Sequence, residues 1–360
     1  MKGRMKVALM TGPGKLEIVE KDIPQPAPGE ALVKLDYVGV CGSDLHYFEN
    51  GRIGDFIVKY PFVLGHESGG VVVEVGSQVK NLKPGDRVAL EPGKTCGQCE
   101  FCKTGLYNLC PDVVFFATPP VDGVFREYTA HEADLCFKLP DNVSTMEGAL
   151  IEPLAVGFHA AITGGAKLNQ SALVTGSGCI GLVAMLALKA LGLSRVFVSD
   201  VVSKRLEKAK ALGASGVINA AQEDVAKTVK ELNGGEGIDL VIETSGTEAA
   251  AAGGIVVLKK GGTLVFVGYS KDGMMNLPMG QALDKELTMK TIFRYRHIYP
   301  LAIDAVSQGK VDIKNIVTNV FDFADIQNAM DKSARNKTEI VKSVIKIAQA
   351  ESFSAKAGAH

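Results

Sequence analysis

Three features that would each indicate a class of function are missing from this 360-residue sequence. Neither sign of charge is in excess, since 39 Lys and Arg face 40 Asp and Glu for a formal net charge of −1. Without a broad basic field, we expect neither nucleic acid nor anionic membrane as a partner. The N-terminal segment MKGRMKVALM has no long apolar run of the signal-peptide type, so we expect a cytoplasmic protein. Low-complexity segments and solenoid-type repeats are also missing.

One uncharged stretch, residues 168 to 188, imitates a membrane span. It contains Gly176, Gly178 and Gly181, and these glycines favour a strand, a turn and a buried helix over one continuous span. We therefore expect no membrane-spanning segment, and the partners that we expect are small molecules.

Cysteine, by contrast, is concentrated in one place. Four of the seven cysteines follow the pattern C-x2-C-x2-C-x7-C: Cys96, Cys99, Cys102 and Cys110. Four thiolates at this spacing close a tetrahedron around Zn²⁺ at about 2.3 Å per Zn–S bond and leave no position for a substrate, so the sequence predicts a structural zinc. The alternatives are two disulfides or four unrelated thiols, which a chain without signs of secretion disfavours.

The chain divides into three regions by its pattern of strands and helices. Residues 1 to about 150 carry short β signals broken by turns and predict a small barrel or sandwich. From about 155 to 290, strand-like and helical segments alternate, which predicts a parallel sheet with right-handed crossovers. The strand-like segments there are Ala172–Thr175, Arg195–Ser199, Asp239–Glu243 and Thr263–Val267. Beyond about 290, a last strand-like run, Ile340–Ile347, is expected to return to the first region.

A glycine-rich turn at residues 176–181 fits the G-x-G-x-x-G pattern of dinucleotide-binding proteins. A strand, SALVT, precedes it and a helix, LVAMLALKALG, follows it, which is the context that the pattern requires. Gly176 permits the tight turn, Gly178 lets a pyrophosphate approach the backbone, and Gly181 allows close packing of helix on strand. The alternative is a glycine-rich turn that binds no nucleotide.

The next strand ends in Asp200, 19 residues after Gly181, where a carboxylate accepts hydrogen bonds from both ribose hydroxyls. This carboxylate would repel a 2′-phosphate, so NAD is expected rather than NADP. Arg205 either contacts the adenosine or is an ordinary solvated helix residue. Ile180, within the glycine turn, and Val267, at the end of a later strand, complete the predicted cofactor contacts.

Residues suited to a catalytic metal lie before and after the cysteine cluster. Cys41 offers a thiolate, His66 an imidazole and Glu67 a carboxylate, all of which bind zinc. Glu152 is a fourth candidate, because an unpaired acid inside the apolar run ALIEPLAVGFHA is costly unless it serves a metal or catalysis. The alternatives are a buried neutral cysteine, a structural histidine and a helix-capping glutamate.

Together, GHE, the four-cysteine segment and G-x-G-x-x-G resemble the zinc-dependent medium-chain dehydrogenases. Further segments resemble the sorbitol (L-iditol 2-) dehydrogenases and their xylitol dehydrogenase relatives, from about residue 5 to 347: CGSDLHYFENGRIGDFIVKYPFVLGHE, FFATPPVDG, LPDNVSTMEGALIEPLAVG and FRYRHIYP. The chain departs from the alcohol dehydrogenase pattern at Glu152, which occupies what looks like the place of the second cysteine ligand.

The resemblance implies an α/β protein of two domains. A GroES-like, β-barrel-type catalytic domain would span residues 1–154 and 291–360 and include a structural zinc lobe at about 93–112, and a Rossmann domain with a doubly wound parallel sheet would span 155–290. Two zinc ions per chain are implied, and a homotetramer. The implied catalytic ligands are Cys41, His66 and Glu67, with Glu152 close to the metal, directly or through water.

The resemblance further implies oxidation of the C2 hydroxyl of a polyol to a 2-ketose, with NAD as the hydride acceptor. Zinc would act as the Lewis acid, and Ser43, two residues from Cys41, is the candidate proton relay. The implied substrate contacts are Tyr47, Phe115, Phe116, Glu152, Arg294 and Tyr295, and for each aromatic residue the alternative is core packing. The competing interpretations are a zinc dehydrogenase of another secondary alcohol, such as threonine or butanediol, and a non-enzymatic nucleotide-binding protein.

Overall fold

A computed structural model of the protein describes residues 1–271 and 273–347. The predicted extension of the catalytic domain to residues 348–360 lies outside the described residues.

Short strands dominate the N-terminal region. They are β1 (Arg4–Gly12), β2 (Lys15–Asp22), β3 (Glu30–Gly39), β4 (Arg52–Ile53), β5 (Phe56–Ile57), β6 (Glu67–Val75), β7 (Arg87–Leu90), β8 (Gly93–Lys94), β9 (Val114–Phe115), β10 (Tyr128–Glu132) and β11 (Cys136–Lys138). Two helices, α1 (Gly42–Asn50) and α2 (Glu100–Lys103), and two 3₁₀ turns, Tyr107–Leu109 and Ala133–Leu135, lie among them.

Helices and strands alternate in the middle region. The helices are α3 (Thr145–Thr163), α4 (Cys179–Ala190), α5 (Ser203–Ala211), α6 (Val225–Leu232), α7 (Glu248–Val257) and α8 (Met279–Asp284). The strands are β12 (Ser171–Thr175), β13 (Arg195–Asp200), β14 (Gly216–Asn219), β15 (Ile238–Glu243), β16 (Leu258–Phe266) and β17 (Thr288–Thr291). At their carboxyl ends, the four predicted strands agree with β12, β13, β15 and β16 to within one residue.

These six strands form one parallel sheet in the order β14-β13-β12-β15-β16-β17. When the six strands are numbered 1 to 6 along the chain, their order in the sheet is 3-2-1-4-5-6, which is that of a doubly wound dinucleotide-binding sheet. The predicted Rossmann fold is therefore confirmed, and its switch point lies between β12 and β15, next to the glycine-rich turn.

The C-terminal region contains α9 (Tyr299–Ser307), β18 (Asn319–Asp322), α10 (Ile326–Arg335) and β19 (Ser343–Lys346), with 3₁₀ turns at Ile313–Ile316 and Phe323–Asp325. β19 pairs antiparallel with β3, so the chain returns to the first region. The seven-stranded sheet that results has the order β11-β7-β6-β3-β19-β18, with β10 also paired to β3. The domain boundaries at 154/155 and 290/291 stay predictions, and the first of them falls inside α3.

Helix α3 is the element on which the two regions pack. Its N-terminus is fixed by a reciprocal capping box between Ser144 and Glu147. The helix packs against β6 and β7 on the first sheet and against α4 and α9. Ile151, Leu154 and Phe158 are fully buried there, and each contributes about 1.5–3 kcal/mol relative to exposure. A side chain on this buried helix is therefore held in one place.

No helix in the described ranges has both the length and the apolar character needed to cross a membrane. Residues 168–188 form β12, the glycine turn and most of α4, as the glycines predict.

Candidate active site

Three potential metal ligands meet where β3 ends and β6 begins. The ligand atoms of Cys41, His66 and Glu67 all lie within 4.8 Å of one another, with His66 and Glu67 buried and Cys41 half-buried. The antiparallel pairing of β3 with β6 sets Gly39 opposite Glu67 and so brings the two segments together. One sulfur, one nitrogen and one oxygen donor match the mixed sets that hold zinc in sites with an open position.

Asp44, which the sequence analysis missed, ties these segments to each other. Its carboxylate accepts from the Cys41 N–H at 3.0 Å and from the Gly65 N–H at 2.9 Å. The same fully buried carboxylate lies 3.6 Å from Nδ1 of His66. A carboxylate on one ring nitrogen orients a histidine and leaves the other nitrogen free for a metal. The sequence signal was the acid three residues after Cys41, at the capping-box position of α1.

Lys342 is the second residue that the sequence did not indicate. Its side chain is 2% exposed, forms an ion pair with Glu67 and donates to the carbonyl of Val40 at 3.1 Å. A buried ammonium needs such partners, and the pair fixes the orientation of the Glu67 carboxylate. The C-terminal return of the chain, which carries Lys342, therefore completes a site built on the N-terminal sheet.

Glu152 lies beside this group rather than within it. It is buried on α3, and its Oε1 accepts from the hydroxyl of Tyr295 at 2.9 Å. Burial, together with the charge of Glu67, raises the pKa of Glu152 to about 7. The pair of Glu152 and Tyr295 offers both an acceptor and a hydroxyl to a bound molecule.

Arg294 and Phe115 lie against each other beside His66. The guanidinium carbon of Arg294 lies 3.8 Å from the centroid of the Phe115 ring, and that ring lies 5.8 Å from the His66 ring. Burial lowers the pKa of Arg294, and its Nη1 is buried with no hydrogen-bond partner among the described residues. An unpartnered buried donor is costly unless a ligand accepts its hydrogen bond.

The remaining predicted substrate and relay residues have different surroundings. Tyr47 is buried on α1, and burial followed by the charge of Asp44 raises its pKa to about 12. Phe116 stacks on His131, with ring centroids 4.6 Å apart, so core packing accounts for it. Ser43 is half-buried on α1, between Cys41 and Asp44. Its relay role stays a prediction.

The glycine-rich turn has the geometry that its pattern requires. Gly176 has a φ of 93°, and Gly178 caps the N-terminus of α4. A Cβ on Gly181 would collide with the carbonyl oxygen of Gly176, so only glycine fits there. The N-terminus of α4 is thus open to an anionic group such as a pyrophosphate.

Asp200 and Arg205 are both engaged within the protein. One oxygen of Asp200 accepts from the N–H of Ser177 at 2.6 Å and from its hydroxyl at 2.9 Å, and the other accepts from the Val202 N–H at 2.9 Å. Arg205 donates to the carbonyl of Lys337, across the cleft from α5. Val267 follows β16 directly, and its N–H donates to the backbone carbonyl of Glu243 at 2.8 Å. The two bonds from Ser177 place Asp200 directly against the glycine turn.

A cavity of about 300 Å³ joins the glycine turn to two of the potential metal ligands. Its lining includes Cys41, Glu67, Gly178, Ile180, Arg205 and Lys342. A dinucleotide on the α4 N-terminus would therefore extend toward the three potential metal ligands, as hydride transfer beside a metal requires.

The four clustered cysteines meet in a lobe around α2. Sγ of Cys102 lies 3.5 Å from that of Cys99 and 3.9 Å from that of Cys96. Four sulfurs at about 2.3 Å from one tetrahedral zinc would be roughly 3.8 Å apart, so the spacing fits this metal. All seven cysteines are free, and the alternative of two disulfides does not hold.

Comparison with known proteins agrees with this geometry. Residues 27–141 match the alcohol dehydrogenase GroES-like domain, and residues 179–308 match the zinc-binding dehydrogenase domain. The chain belongs to the zinc-dependent medium-chain dehydrogenase family. The predicted combination of a GroES-like and a Rossmann fold is confirmed.

Within that family the chain is similar to sorbitol dehydrogenases. The bovine sorbitol dehydrogenase is 46% identical over 327 residues, which cover 90% of this chain and 91% of that protein. A crystal structure of an Escherichia coli oxidoreductase of unknown specificity has a TM-score of 0.92 and 42% identity, covering 97% of this chain and 100% of that one. An E. coli alcohol dehydrogenase solved with NADH has a TM-score of 0.88 and 30% identity, and the match covers 96% of this chain and 99% of that one. The protein is thus a zinc-dependent dehydrogenase of the alcohol and polyol type.

Proposed function

We propose that the protein oxidises the C2 hydroxyl of a polyol, such as sorbitol, L-iditol or xylitol, to a 2-ketose with NAD as the hydride acceptor. The observation that carries the proposal is the set of buried polar groups beside the potential metal ligands. Glu152 and Tyr295 form a hydrogen-bonded pair there, and Arg294 keeps a buried donor that has no partner among the residues that the structure describes.

The metal-binding roles follow from the donor sets. Cys41, His66 and Glu67 would hold the catalytic zinc, with Glu152 next to it, and the four-cysteine lobe would hold a structural zinc. When bound at the catalytic site, Zn²⁺ supplies a Lewis acid that lowers the pKa of the substrate hydroxyl. Asp44 orients His66, and Lys342 orients Glu67, so both ligands are fixed before a substrate arrives.

The choice of a polyol follows from the hydrogen-bonding capacity of the site. A polyol carries a hydroxyl on every carbon and can pair with Glu152, Tyr295 and Arg294 at once, while Phe115 covers its apolar face. A simple secondary alcohol has one hydroxyl and would leave these buried groups unpaired. Such a site rejects the smaller substrate, because unpaired buried polar groups cost about 1–3 kcal/mol each.

Asp200 supports NAD as the coenzyme. Its carboxylate, held by Ser177 at the glycine turn, would accept hydrogen bonds from the adenosine ribose of a dinucleotide bound in the manner of this fold. A 2′-phosphate would meet this negative charge and be repelled. Ser43 is proposed to pass the released proton toward solvent, since a hydroxyl both donates and accepts.

The decisive test is a substrate panel with NAD: sorbitol, L-iditol and xylitol against 2,3-butanediol and L-threonine. We expect kcat/KM to be highest for a polyol, activity to be lost on chelation, and zinc to restore it. A higher kcat/KM for butanediol or threonine would favour the second candidate, a zinc dehydrogenase of another secondary alcohol. Equal rates with NADP would contradict the role of Asp200.

We also propose a homotetramer with catalytic and Rossmann domains divided at 154/155 and 290/291. Support for the tetramer comes from the likeness to the family alone, so sedimentation equilibrium of the purified protein is its test. A monomer or dimer at micromolar concentration would contradict it.

A further inference from the structure

The loop that carries Arg294 and Tyr295 is bound by the cysteine lobe. Asn108, in the 3₁₀ turn Tyr107–Leu109, donates from Nδ2 to the carbonyl of Phe293 at 2.7 Å. Its Oδ1 accepts from Nη1 of Arg296 at 3.2 Å. The Asn108 side chain therefore forms hydrogen bonds with residues on both sides of Arg294, and Asn108 is only 5% exposed.

The backbone of this loop needs such support. Arg294 has a φ of 55° and His297 a φ of 54°, both in the left-handed region. For residues other than glycine this conformation costs about 1–2 kcal/mol each. It persists only where surrounding contacts hold it, and such residues cluster at binding sites.

Two more bonds join the same lobe to the end of the loop. The hydroxyl of Tyr107 accepts from the N–H of His297 at 2.8 Å, and the His297 ring contacts the carbonyl of Gly105 at 3.0 Å. The lobe thus contacts the loop at residues 293, 296 and 297, which enclose Arg294 and Tyr295.

The conformation of the loop decides where the guanidinium of Arg294 lies. It stacks on Phe115, with its carbon 3.8 Å from the ring centroid, and one of its buried donors has no partner in the described part of the chain. If the backbone at Arg294 relaxed to an ordinary φ, the side chain would leave the ring and the donor would turn away from the site. Among the described residues, Asn108 forms no hydrogen bond with the potential metal ligands or the glycine turn, so its effect on the site passes through the loop.

We propose that Asn108 is a positioning residue for the substrate: it holds the loop in the conformation that presents Arg294 to the polyol. The inference rests on the proposed function, which assigns Arg294 to substrate binding. It gives the cysteine lobe a role in substrate affinity in addition to its role in stability.

The test is a double-mutant cycle in the full-length, zinc-loaded enzyme, using N108A, R294A and the double variant. We expect N108A to raise KM for sorbitol about tenfold, with kcat changed less than about threefold and KM for NAD unchanged. Because Asn108 acts through Arg294, N108A should add nothing to R294A, so the double variant should match R294A alone.

N142A is the matched control. Asn142 also donates from Nδ2 to a backbone carbonyl, that of Ser307, at 2.7 Å, and also accepts from a side chain, the Ser307 hydroxyl. Its kinetics should equal those of wild type. N108D keeps the shape and the acceptor but loses the donor to Phe293, and it carries the same test should N108A fail to fold. NADH binding and zinc content, measured on each variant, establish that the rest of the site is intact.

The outcomes separate the two hypotheses. An unchanged KM for sorbitol in N108A and N108D, or losses that add in the double variant, would overturn the role of Asn108 and leave the proposed function intact. A loss confined to stability, with KM unchanged, would overturn it as well. If R294A itself has no effect on KM for sorbitol, the substrate role of Arg294 fails, and the inference fails with it.

Discussion

Replacement of Glu152 by cysteine tests why this chain differs from the alcohol dehydrogenase pattern. The carboxylate accepts from the Tyr295 hydroxyl at 2.9 Å inside a buried site. A cysteine side chain ends two atoms earlier and cannot reach that hydroxyl. Glu152→Cys therefore leaves one buried hydroxyl unpaired and removes an acceptor from the substrate, and a single unpaired group costs about 1–3 kcal/mol.

We expect this change to lower kcat/KM for sorbitol or xylitol by at least about tenfold, which corresponds to about 1.4 kcal/mol of transition-state stabilisation. Activity on 2-butanol should fall less, because that alcohol has no second hydroxyl to bind. Steady-state NAD reduction with both substrates measures the difference. Tyr295→Phe is the control, since it keeps the carboxylate and removes its donor.

Equal losses on the polyol and on 2-butanol would contradict a role of Glu152 in polyol binding. Glu152 would then serve the metal alone, and the preference for polyols would lose the observation that carries it. A loss on sorbitol with zinc content unchanged would instead place Glu152 in substrate recognition.

Asp200, the two predicted zinc sites and the buried carboxyl of Glu91 each give a further prediction. Asp200→Ala combined with Val201→Arg should shift the ratio of kcat/KM values toward NADP, since Val201 is exposed and a guanidinium there can pair with a 2′-phosphate; an unchanged ratio would exclude Asp200 from ribose recognition. Elemental analysis should find two zinc ions per chain in wild type, with Cys99→Ser losing one together with stability, and His66→Ala losing the other together with activity; one zinc in wild type would contradict one of the two sites. Burial raises the pKa of Glu91 to about 7, from 4.5 for the ordinary carboxyl. The free energy of unfolding that this shift contributes is fully present below about pH 4.5 and is lost as the pH rises through 7, which amounts to roughly 3 kcal/mol at 1.4 kcal/mol per pKa unit. Glu91→Gln should therefore flatten the plot of melting temperature against pH, and an unchanged slope would show that Glu91 does not titrate there.

Local patterns made much of this protein predictable. The glycine turn, the cysteine cluster and the strands of the parallel sheet are each specified within a few consecutive residues, because turn geometry, metal ligation and strand burial act over short distances. Cys41, His66 and Glu67 could be proposed together because a thiolate, an imidazole and a carboxylate all bind zinc, and because the segments around them resemble those of zinc-dependent dehydrogenases.

What the sequence did not show depends on contacts between distant segments. Lys342 looks like a surface lysine until β19 pairs with β3 and brings it to Glu67. Asn108 looks like a lobe residue until the loop at 293–297 folds onto it. Arg205 was expected either at the adenosine or in solvent, and its hydrogen bond to the carbonyl of Lys337 joins it to a partner far along the chain. None of these pairs has a local sequence signal.

In the proposed reaction, hydride leaves C2 of a polyol and is accepted by NAD. Sorbitol carrying deuterium at C2 tests it most directly, with the mass of the reduced coenzyme as the readout. We expect reduced coenzyme that is one mass unit heavier than unlabelled NADH, a 2-ketose product, and no reaction in His66→Ala. Unlabelled NADH formed from this substrate would show that another carbon is oxidised and would contradict the claim.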